Sequence, residues 1–144
     1  MLLFSEGQIV QYLSRFTKMG QTEQHSILYI EDNKANQQLV QFIFEQRDDI
    51  SLTVAVDGLS GLEVARELLP DIILLDISLP DITGHEVLEK LKSNETTRNI
   101  PVFALSGDTF TASAQSTEHS FDRYLTKPID IQFLFQVVNE TLQI

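Results

Sequence analysis

The sequence predicts an α/β domain in which helices cover both faces of a five-stranded parallel sheet. Short apolar runs alternate along the chain with segments of helical periodicity, five times in succession. The chain has 144 residues, which is the size of one domain, and 42% of them are hydrophobic, which is enough for a core. Alternation of strand and helix implies parallel strands, because each helix returns the chain to the same edge of the sheet.

The predicted strands are short runs rich in aliphatic side chains. The third run, Ile72-Ile-Leu-Leu75, is the most apolar, so we expect it at the centre of the sheet, where both faces of a strand are buried. The five runs span residues 27–30, 52–56, 72–75, 102–105 and 121–125.

The predicted helices begin at residues whose side chains can accept a hydrogen bond from a free backbone N–H. Asp57 and Asp130 have this position, Thr83 and Glu86 form a capping box, and a further helix spans residues 33–46. In chain order, the apolar residues expected to face the sheet are Leu39, Phe42 and Ile43; Leu59, Leu62, Ala65 and Leu69; Val87, Leu88 and Leu91; and Leu134, Val138 and Leu142.

The N-terminal stretch forms a separate segment. Ser5 and Gln8 fit a capping box, and this start predicts a short amphipathic helix whose apolar residues are Ile9, Leu13 and Phe16. A polar stretch over residues 20–26 follows. We therefore expect an N-terminal helix or linker over residues 1–25 and one domain over residues 26–144. The apolar face of the helix must pack on this domain, on a second copy or on a partner.

Composition excludes several classes of function. The formal net charge of −11 disfavours binding to nucleic acid and suits basic partners or divalent cations. The absence of cysteine excludes disulfides, thiol chemistry and cysteine-ligated metals, and it fits a reducing compartment. No apolar run is long enough to span a membrane, and the first residues lack the basic region of a signal peptide. We therefore expect a cytoplasmic protein without membrane contact.

Candidate site residues follow four of the five predicted strands, whereas Asp57, after the second strand, is better explained as a helix cap. Glu31 and Asp32 follow the first strand, Asp76 the third, Ser106 the fourth and Lys127 the fifth. In sheets of this kind, ligands bind outside the carboxyl ends of the strands, so we expect these five side chains to meet at one edge.

This set of side chains suits transfer of a phosphoryl group onto a carboxylate. Asp76 is the expected nucleophile, since carboxylates can accept phosphoryl groups. Mg²⁺ prefers oxygen ligands, which Asp32 and Asp76 can supply, with Glu31 acting directly or through water. Lys127 is expected to neutralise phosphoryl oxygens, and the Ser106 hydroxyl can donate a hydrogen bond to one of them.

Three segments of the chain resemble the receiver domains of two-component response regulators. They are Ile27-Leu-Tyr-Ile-Glu-Asp-Asn33, Ile72-Ile-Leu-Leu-Asp-Ile-Ser-Leu-Pro-Asp-Ile-Thr-Gly84 and Tyr124-Leu-Thr-Lys-Pro-Ile129. Their order and spacing agree with the family pattern. The resemblance covers residues 26–144 and is closest to chemotaxis-type receivers, either stand-alone or as part of a hybrid sensor kinase.

The resemblance implies a flavodoxin-like fold with strand order 2-1-3-4-5. It also implies that Asp76 takes a phosphoryl group from a phosphohistidine on a sensor histidine kinase or a histidine phosphotransfer protein. The backbone carbonyl of Ser78 would complete the Mg²⁺ shell, and Ser106 with Tyr124 would form the switch pair. Lys127-Pro128 would be a cis peptide. The resemblance leaves a homodimer open.

Other positions relate to the lifetime of the phosphoryl group and to output. In the family, residues at the positions of Ser78 and Asp108 tune that lifetime. Gly107 stands where a small alanine-like residue is usual, and the segment 110–119, expected to be the fourth helix, is poor in apolar anchors. We therefore expect that helix to be short or irregular.

Three alternatives stay open at this point. A degenerate receiver would act only as a protein docking module. A hydrolase of the haloacid-dehalogenase type would also use an aspartyl nucleophile, but it normally has a second acid where this chain has Ser78. A flavodoxin-like cofactor binder would need a phosphate-binding loop rich in Ser, Thr or Gly where this chain has Glu31 and Asp32.

Overall fold

The computed structural model of the chain describes residues 5–9, 24–107 and 120–144. The strands within these ranges are β1 (His25–Ile30), β2 (Ile50–Ala55), β3 (Ile72–Asp76), β4 (Val102–Ser106) and β5 (Arg123–Thr126). The helices are α1 (Lys34–Glu45), α2 (Gly58–Leu68), α3 (Gly84–Lys92) and α4 (Ile131–Leu142). None of these described helices is long and apolar enough to cross a bilayer.

The five strands form one parallel sheet in the order β2-β1-β3-β4-β5. This order confirms the predicted flavodoxin-like architecture. β3 is the central strand, and all five of its residues are buried, as its apolar sequence predicts.

Alternate residues of each strand contribute to two hydrophobic clusters on opposite faces of the sheet. In β1, Ile27 and Tyr29 face the cluster with α1 and α4, whereas Leu28 and Ile30 face the cluster with α2 and α3. Side chains from both helical layers therefore bury β3 and β4 completely, whereas the edge strands β2 and β5 stay partly exposed.

Four helices begin at the capping residues Asn33, Asp57, Thr83 and Asp130. The side chain of each cap accepts a hydrogen bond from the backbone N–H three residues later, at 2.8–3.1 Å. These contacts confirm the predicted caps Asp57, Thr83 and Asp130, and they add Asn33. In the N-terminal segment, the Ser5 and Gln8 side chains each accept a hydrogen bond from the other residue's backbone N–H, which confirms that capping box.

The predicted inward faces of two helices are partly wrong. In α1, Leu39 and Phe42 are 47% and 62% exposed, and the buried stripe consists of Val40, Ile43 and Phe44. Packing against the sheet rotates this helix relative to the phase that its apolar residues suggest.

In α2, Leu62 and Ala65 are buried as predicted, but Leu59 and Leu69 are exposed. The buried stripe includes Gly58 and Gly61, which an apolar pattern does not reveal. Leu69 caps the helix in a left-handed conformation with φ 48°, so the chain turns away from the core there.

Several predictions fall on residues outside the described ranges. They are the apolar residues Leu13 and Phe16, the helix over residues 110–119, and the position of Asp108. The division into residues 1–25 and 26–144 stays a prediction.

Gly84 allows α3 to begin directly against the chain that leaves β3. A Cβ atom at Gly84 would lie 2.8 Å from the Ile77 Cα, and backbone cannot move aside as a side-chain end can. We expect Gly84→Ala to lower the free energy of unfolding by ~1–3 kcal/mol, as overpacking does in a core. Gly107→Ala is the control and should be near neutral, because no atom of the described residues lies within 4 Å of a Cβ atom placed there. Urea unfolding of both variants measures this; equal stabilities would contradict the steric argument.

Candidate functional site

The carboxyl ends of four neighbouring strands bring the predicted residues to one edge of the sheet. Glu31 directly follows β1, Asp76 is the last residue of β3, Ser106 is the last residue of β4, and Lys127 directly follows β5. Strand register aligns these ends, since Ile30 pairs with Leu75, Asp76 with Leu105, and Ser106 with Thr126. Parallel pairing therefore assembles a site from residues almost 100 positions apart in the chain.

Three carboxylates form the centre of this site. Glu31, Asp32 and Asp76 each present one oxygen, and these oxygens all lie within 4.8 Å of one another. Glu31 is fully buried and Asp76 is nearly so, whereas Asp32 is exposed. Such crowding of negative charge is unfavourable unless a cation lies among the oxygens.

Lys127 supplies positive charge to the carboxylates. Its Nζ lies 3.3 Å from Glu31 Oε1 and 3.5 Å from Asp76 Oδ1. The Lys127 backbone N–H donates to the Ser106 carbonyl at 2.9 Å, which ties the end of β5 to β4. The Lys127-Pro128 peptide is cis, as the resemblance implies.

Two amide side chains from the first turn of α1 hold Glu31. Asn36 Nδ2 donates to Glu31 Oε1, and Gln37 Nε2 donates to the Glu31 carbonyl at 2.6 Å. Neither residue is among those predicted from the sequence. A usable signal exists, because two adjacent amides one turn after the Asn33 cap must lie near the end of β1.

The environment shifts the protonation of Glu31. Burial, followed by the side-chain interaction with Asp76, raises the pKa of Glu31 to about 7, although Asn36 and Lys127 act in the opposite direction. Glu31 Oε2 is buried and has no hydrogen-bond partner among the described residues. A buried carboxylate oxygen without a partner, next to two further carboxylates, fits a cation ligand.

Tyr29 lies two residues before Glu31 in the chain, and its side chain packs in the hydrophobic cluster with α1 and α4. Burial raises the pKa of the Tyr29 hydroxyl well above its usual range, and the negative charges of Glu31 and Asp76 add to this effect. The phenol therefore stays neutral, and the side chain packs as part of the hydrophobic core.

Ser78 and Ser106 lie beside the carboxylates. The Ser78 backbone N–H donates to Asp76 Oδ1 at 3.2 Å, and Ser78 itself is exposed. Ser106 is buried at the end of β4.

Tyr124 lies on the α2–α3 side of the sheet, where it is half-buried and pairs in register with Ala104. Its ring meets Phe121 edge to face, with 5.7 Å between centroids. Phe121 also meets His85 of α3 at 5.4 Å. Tyr124 is thus two residues away from the site along β5, on the strand next to that of Ser106.

The fold and this cluster of carboxylates and lysine define the class of the protein, which is a doubly wound signalling domain of the response-regulator type. The chain belongs to the response regulator receiver domain family, whose sequence model matches residues 27–139. This result confirms the predicted family.

A sequence relative and a solved structure agree with this assignment. The polar-differentiation response regulator DivK of Brucella ovis is 33% identical over 122 residues, which span 81% of this chain and 95% of DivK. The receiver domain of Francisella response regulator 1452 is 30% identical, with a TM-score of 0.73 over 83% of this chain and 97% of that structure.

A second similar structure contains a metal ion. The receiver domain of sensor histidine kinase PA1611 from Pseudomonas aeruginosa PAO1 is 23% identical, with a TM-score of 0.76 over 84% of this chain and 99% of that domain. The crystal structure of that protein has a magnesium ion coordinated in the active-site cleft.

The raised pKa of Glu31 predicts how the stability of the metal-free protein depends on pH. Between the ordinary pKa of 4.5 and about 7, the folded state holds a proton that the unfolded state has lost. The free energy of unfolding should therefore fall as the pH rises through this window. Glu31→Gln should flatten this slope, because the amide cannot ionise.

Urea unfolding in a chelator, from pH 4.5 to 8, tests this expectation. The wild type and Glu31→Gln are compared at each pH, so that contributions from other groups cancel. Parallel profiles for the two proteins would show that Glu31 does not carry the raised pKa.

Proposed function

We propose that this receiver domain is a phosphoacceptor switch that takes a phosphoryl group on Asp76 from a phosphohistidine in a Mg²⁺-dependent reaction. One observation carries the proposal: Asp76 is nearly buried, 3.5 Å from the Lys127 ammonium and within 4.8 Å of carboxylate oxygens of both Glu31 and Asp32. A phosphoryl group entering here would meet a nucleophile, a metal site and a fixed positive charge together.

Mg²⁺ is the cation that this site suits. Asp32, Asp76 and Glu31 offer hard oxygen ligands, and the backbone carbonyl of Ser78 would complete the set. The magnesium ion in the related Pseudomonas receiver supports this choice. When bound, Mg²⁺ supplies charge that offsets both the carboxylates and the incoming phosphoryl oxygens.

The residues of the chain account for the transfer step. An Asp76 carboxylate oxygen forms the new O–P bond as the N–P bond of the phosphohistidine breaks, and the bonding pair returns to the imidazole nitrogen. The Ser78 N–H and the Lys127 ammonium, both near Asp76 Oδ1, orient the carboxylate. Lys127 then neutralises a phosphoryl oxygen, and the Ser106 hydroxyl donates to another.

The consequence of phosphorylation is a change of interaction surface. Ser106 and Tyr124 are the proposed switch pair, since Ser106 ends β4 at the site and Tyr124 lies on the neighbouring strand, two residues before Thr126, the register partner of Ser106. The domain assists its own phosphorylation and dephosphorylation and has no separate substrate. Its lifetime in the phosphorylated state would depend on Ser78 and Asp108.

The proposed donor is a sensor histidine kinase or a histidine phosphotransfer protein, in the cytoplasm. The net charge of −11 favours a basic surface on that partner. In this proposal residues 26–144 are the receiver, and residues 1–25 are a linker or helix that precedes it.

Phosphoryl incorporation tests the acceptor. With acetyl phosphate and Mg²⁺, intact mass spectrometry should show the gain of one phosphoryl group in the wild type and none in Asp76→Asn, which lacks the nucleophilic carboxylate. Asp48→Asn, an exposed acid away from the site, is the matched control and should behave like the wild type.

A protein that acts only by docking would give a different pattern. It would show no mass gain and no Mg²⁺-dependent stabilisation by beryllofluoride, a mimic of the phosphoryl group. Both results together would overturn the proposed function.

Mg²⁺ binding should also stabilise the fold. A ligand that binds only the folded state at 100 times its Kd adds ~3 kcal/mol to the free energy of unfolding. We expect this gain in the wild type and in Asp48→Asn, and its loss in Asp32→Asn, as measured by thermal unfolding with and without Mg²⁺. A full gain in Asp32→Asn would show that Asp32 is not a ligand.

A further inference from the structure

The loop over residues 77–83 follows Asp76 directly and contains Ser78, and few of its side chains are shielded from solvent. Four of its residues are exposed to solvent: Ser78, Pro80, Asp81 and Thr83. Such a loop must be held by specific contacts if one of its carbonyls is to serve as a metal ligand.

The two ends of this loop are fixed by backbone hydrogen bonds. The Ile77 N–H donates to the Leu105 carbonyl at 3.1 Å, and the Gly84 N–H donates to the Ile77 carbonyl at 3.2 Å. These bonds close the base of the loop, and in its outer part the side chains of Leu79 and Ile82 pack against the α2–α3 cluster.

Asp81 attaches the outer part of the loop to the N-terminus of α2. Its Oδ1 accepts from the Gly58 N–H and its Oδ2 from the Leu59 N–H, both at 2.9 Å. The side chain of Ile82 packs so closely that a Cβ atom at Gly58 would lie 2.5 Å from Ile82 Cγ1. The loop and the helix are therefore in direct contact.

The helix does not need Asp81 for its own cap. Asp57 already accepts the hydrogen bond from the Ser60 N–H at 2.8 Å, as an N-cap does. Desolvation acts to raise the pKa of Asp81, but hydrogen bonds from the Gly58 and Leu59 N–H groups hold the pKa below its usual value. The side chain is therefore an ionised carboxylate, and both of its oxygens can accept. Two carboxylates thus share this terminus, and only that of Asp81 comes from the loop.

We infer that Asp81 is a positioning residue for the metal and phosphoryl site: by binding the first two amides of α2, it holds the loop that places Ser78 beside Asp76. This inference rests on the proposed function, because it concerns the Mg²⁺ that Asp32 and Asp76 would bind. Without the contact between Asp81 and α2, the loop would become ordered only when the metal binds. The entropy lost in that ordering would lower the affinity for Mg²⁺.

Asp81→Ala and Asp57→Ala form a matched pair for the test. Each removes one carboxylate from the same helix terminus, with the same change of net charge, and neither residue belongs to the site. Both variants should unfold at lower temperature than the wild type. Only Asp81→Ala should bind Mg²⁺ more weakly, by about tenfold in Kd, as expected for loss of an outer contact that orients a ligand. Isothermal titration calorimetry with MgCl₂ measures this.

Hydrogen exchange gives a second readout that a simple cap would not affect. Coupling between two sites is reciprocal, so ordering of the loop by Mg²⁺ and beryllofluoride should slow exchange at the Gly58 and Leu59 amides. In Asp81→Ala this slowing should be lost, while Asp57→Ala should retain it.

The outcomes separate the two proposals. If the wild type binds Mg²⁺ and both variants bind equally well, the positioning role is wrong and the proposed function stands. A weakening of the same size in both variants would indicate a general effect of charge or of the helix, and it would also overturn the positioning role. If the wild type itself does not bind Mg²⁺, the proposed function and this inference both fail.

Discussion

Close approach of three carboxylates is the constraint on which the structure depends. Glu31, Asp32 and Asp76 present oxygens within 4.8 Å of one another, and two of the three side chains are buried. Such an arrangement loses hydration and adds repulsion, so it persists only because Lys127 and the amide of Asn36 compensate in part. The negative charge that these groups do not compensate raises the pKa of Glu31, and it favours binding of a cation among the three carboxylates.

The two central strands, β1 and β3, hold the carboxylates close together despite their repulsion. β1 and β3 lie side by side with fully buried aliphatic residues, and their carboxyl ends must therefore bring Glu31 and Asp76 together. The hydrophobic clusters on the two faces hold the strands in register, so the acidic residues cannot separate without disturbing the core. The core that stabilises the sheet thus also fixes the distance between the carboxylates at its edge.

Sequence reasoning succeeded where a local signal had one structural meaning. Asp57, Thr83 and Asp130 are caps because a short polar side chain before an apolar periodic segment has few other uses. It failed for Leu39 and Phe42, because three neighbouring helix positions can each form a plausible apolar face. Packing against the sheet buried Ile43 as predicted, but together with Val40 and Phe44.

The order of strands and helices, the caps and the acidic, hydroxyl and basic residues at the strand ends were all readable from the chain, since each depends on neighbours in sequence. The resemblance to receivers then supplied the order of strands in the sheet. The contacts of Asn36 and Gln37 with Glu31, and of Asp81 with Gly58 and Leu59, emerged only in three dimensions. The spacing from the Asn33 cap places the two amides near the end of β1, but the direction of each side chain depends on tertiary packing. The approach of the Asp81 loop to α2 joins distant parts of the chain, so no periodicity or spacing encodes it. The orientation of each helix about its own axis is also decided by the tertiary structure. It minimises the buried polar surface of a whole layer of the fold and not of one segment.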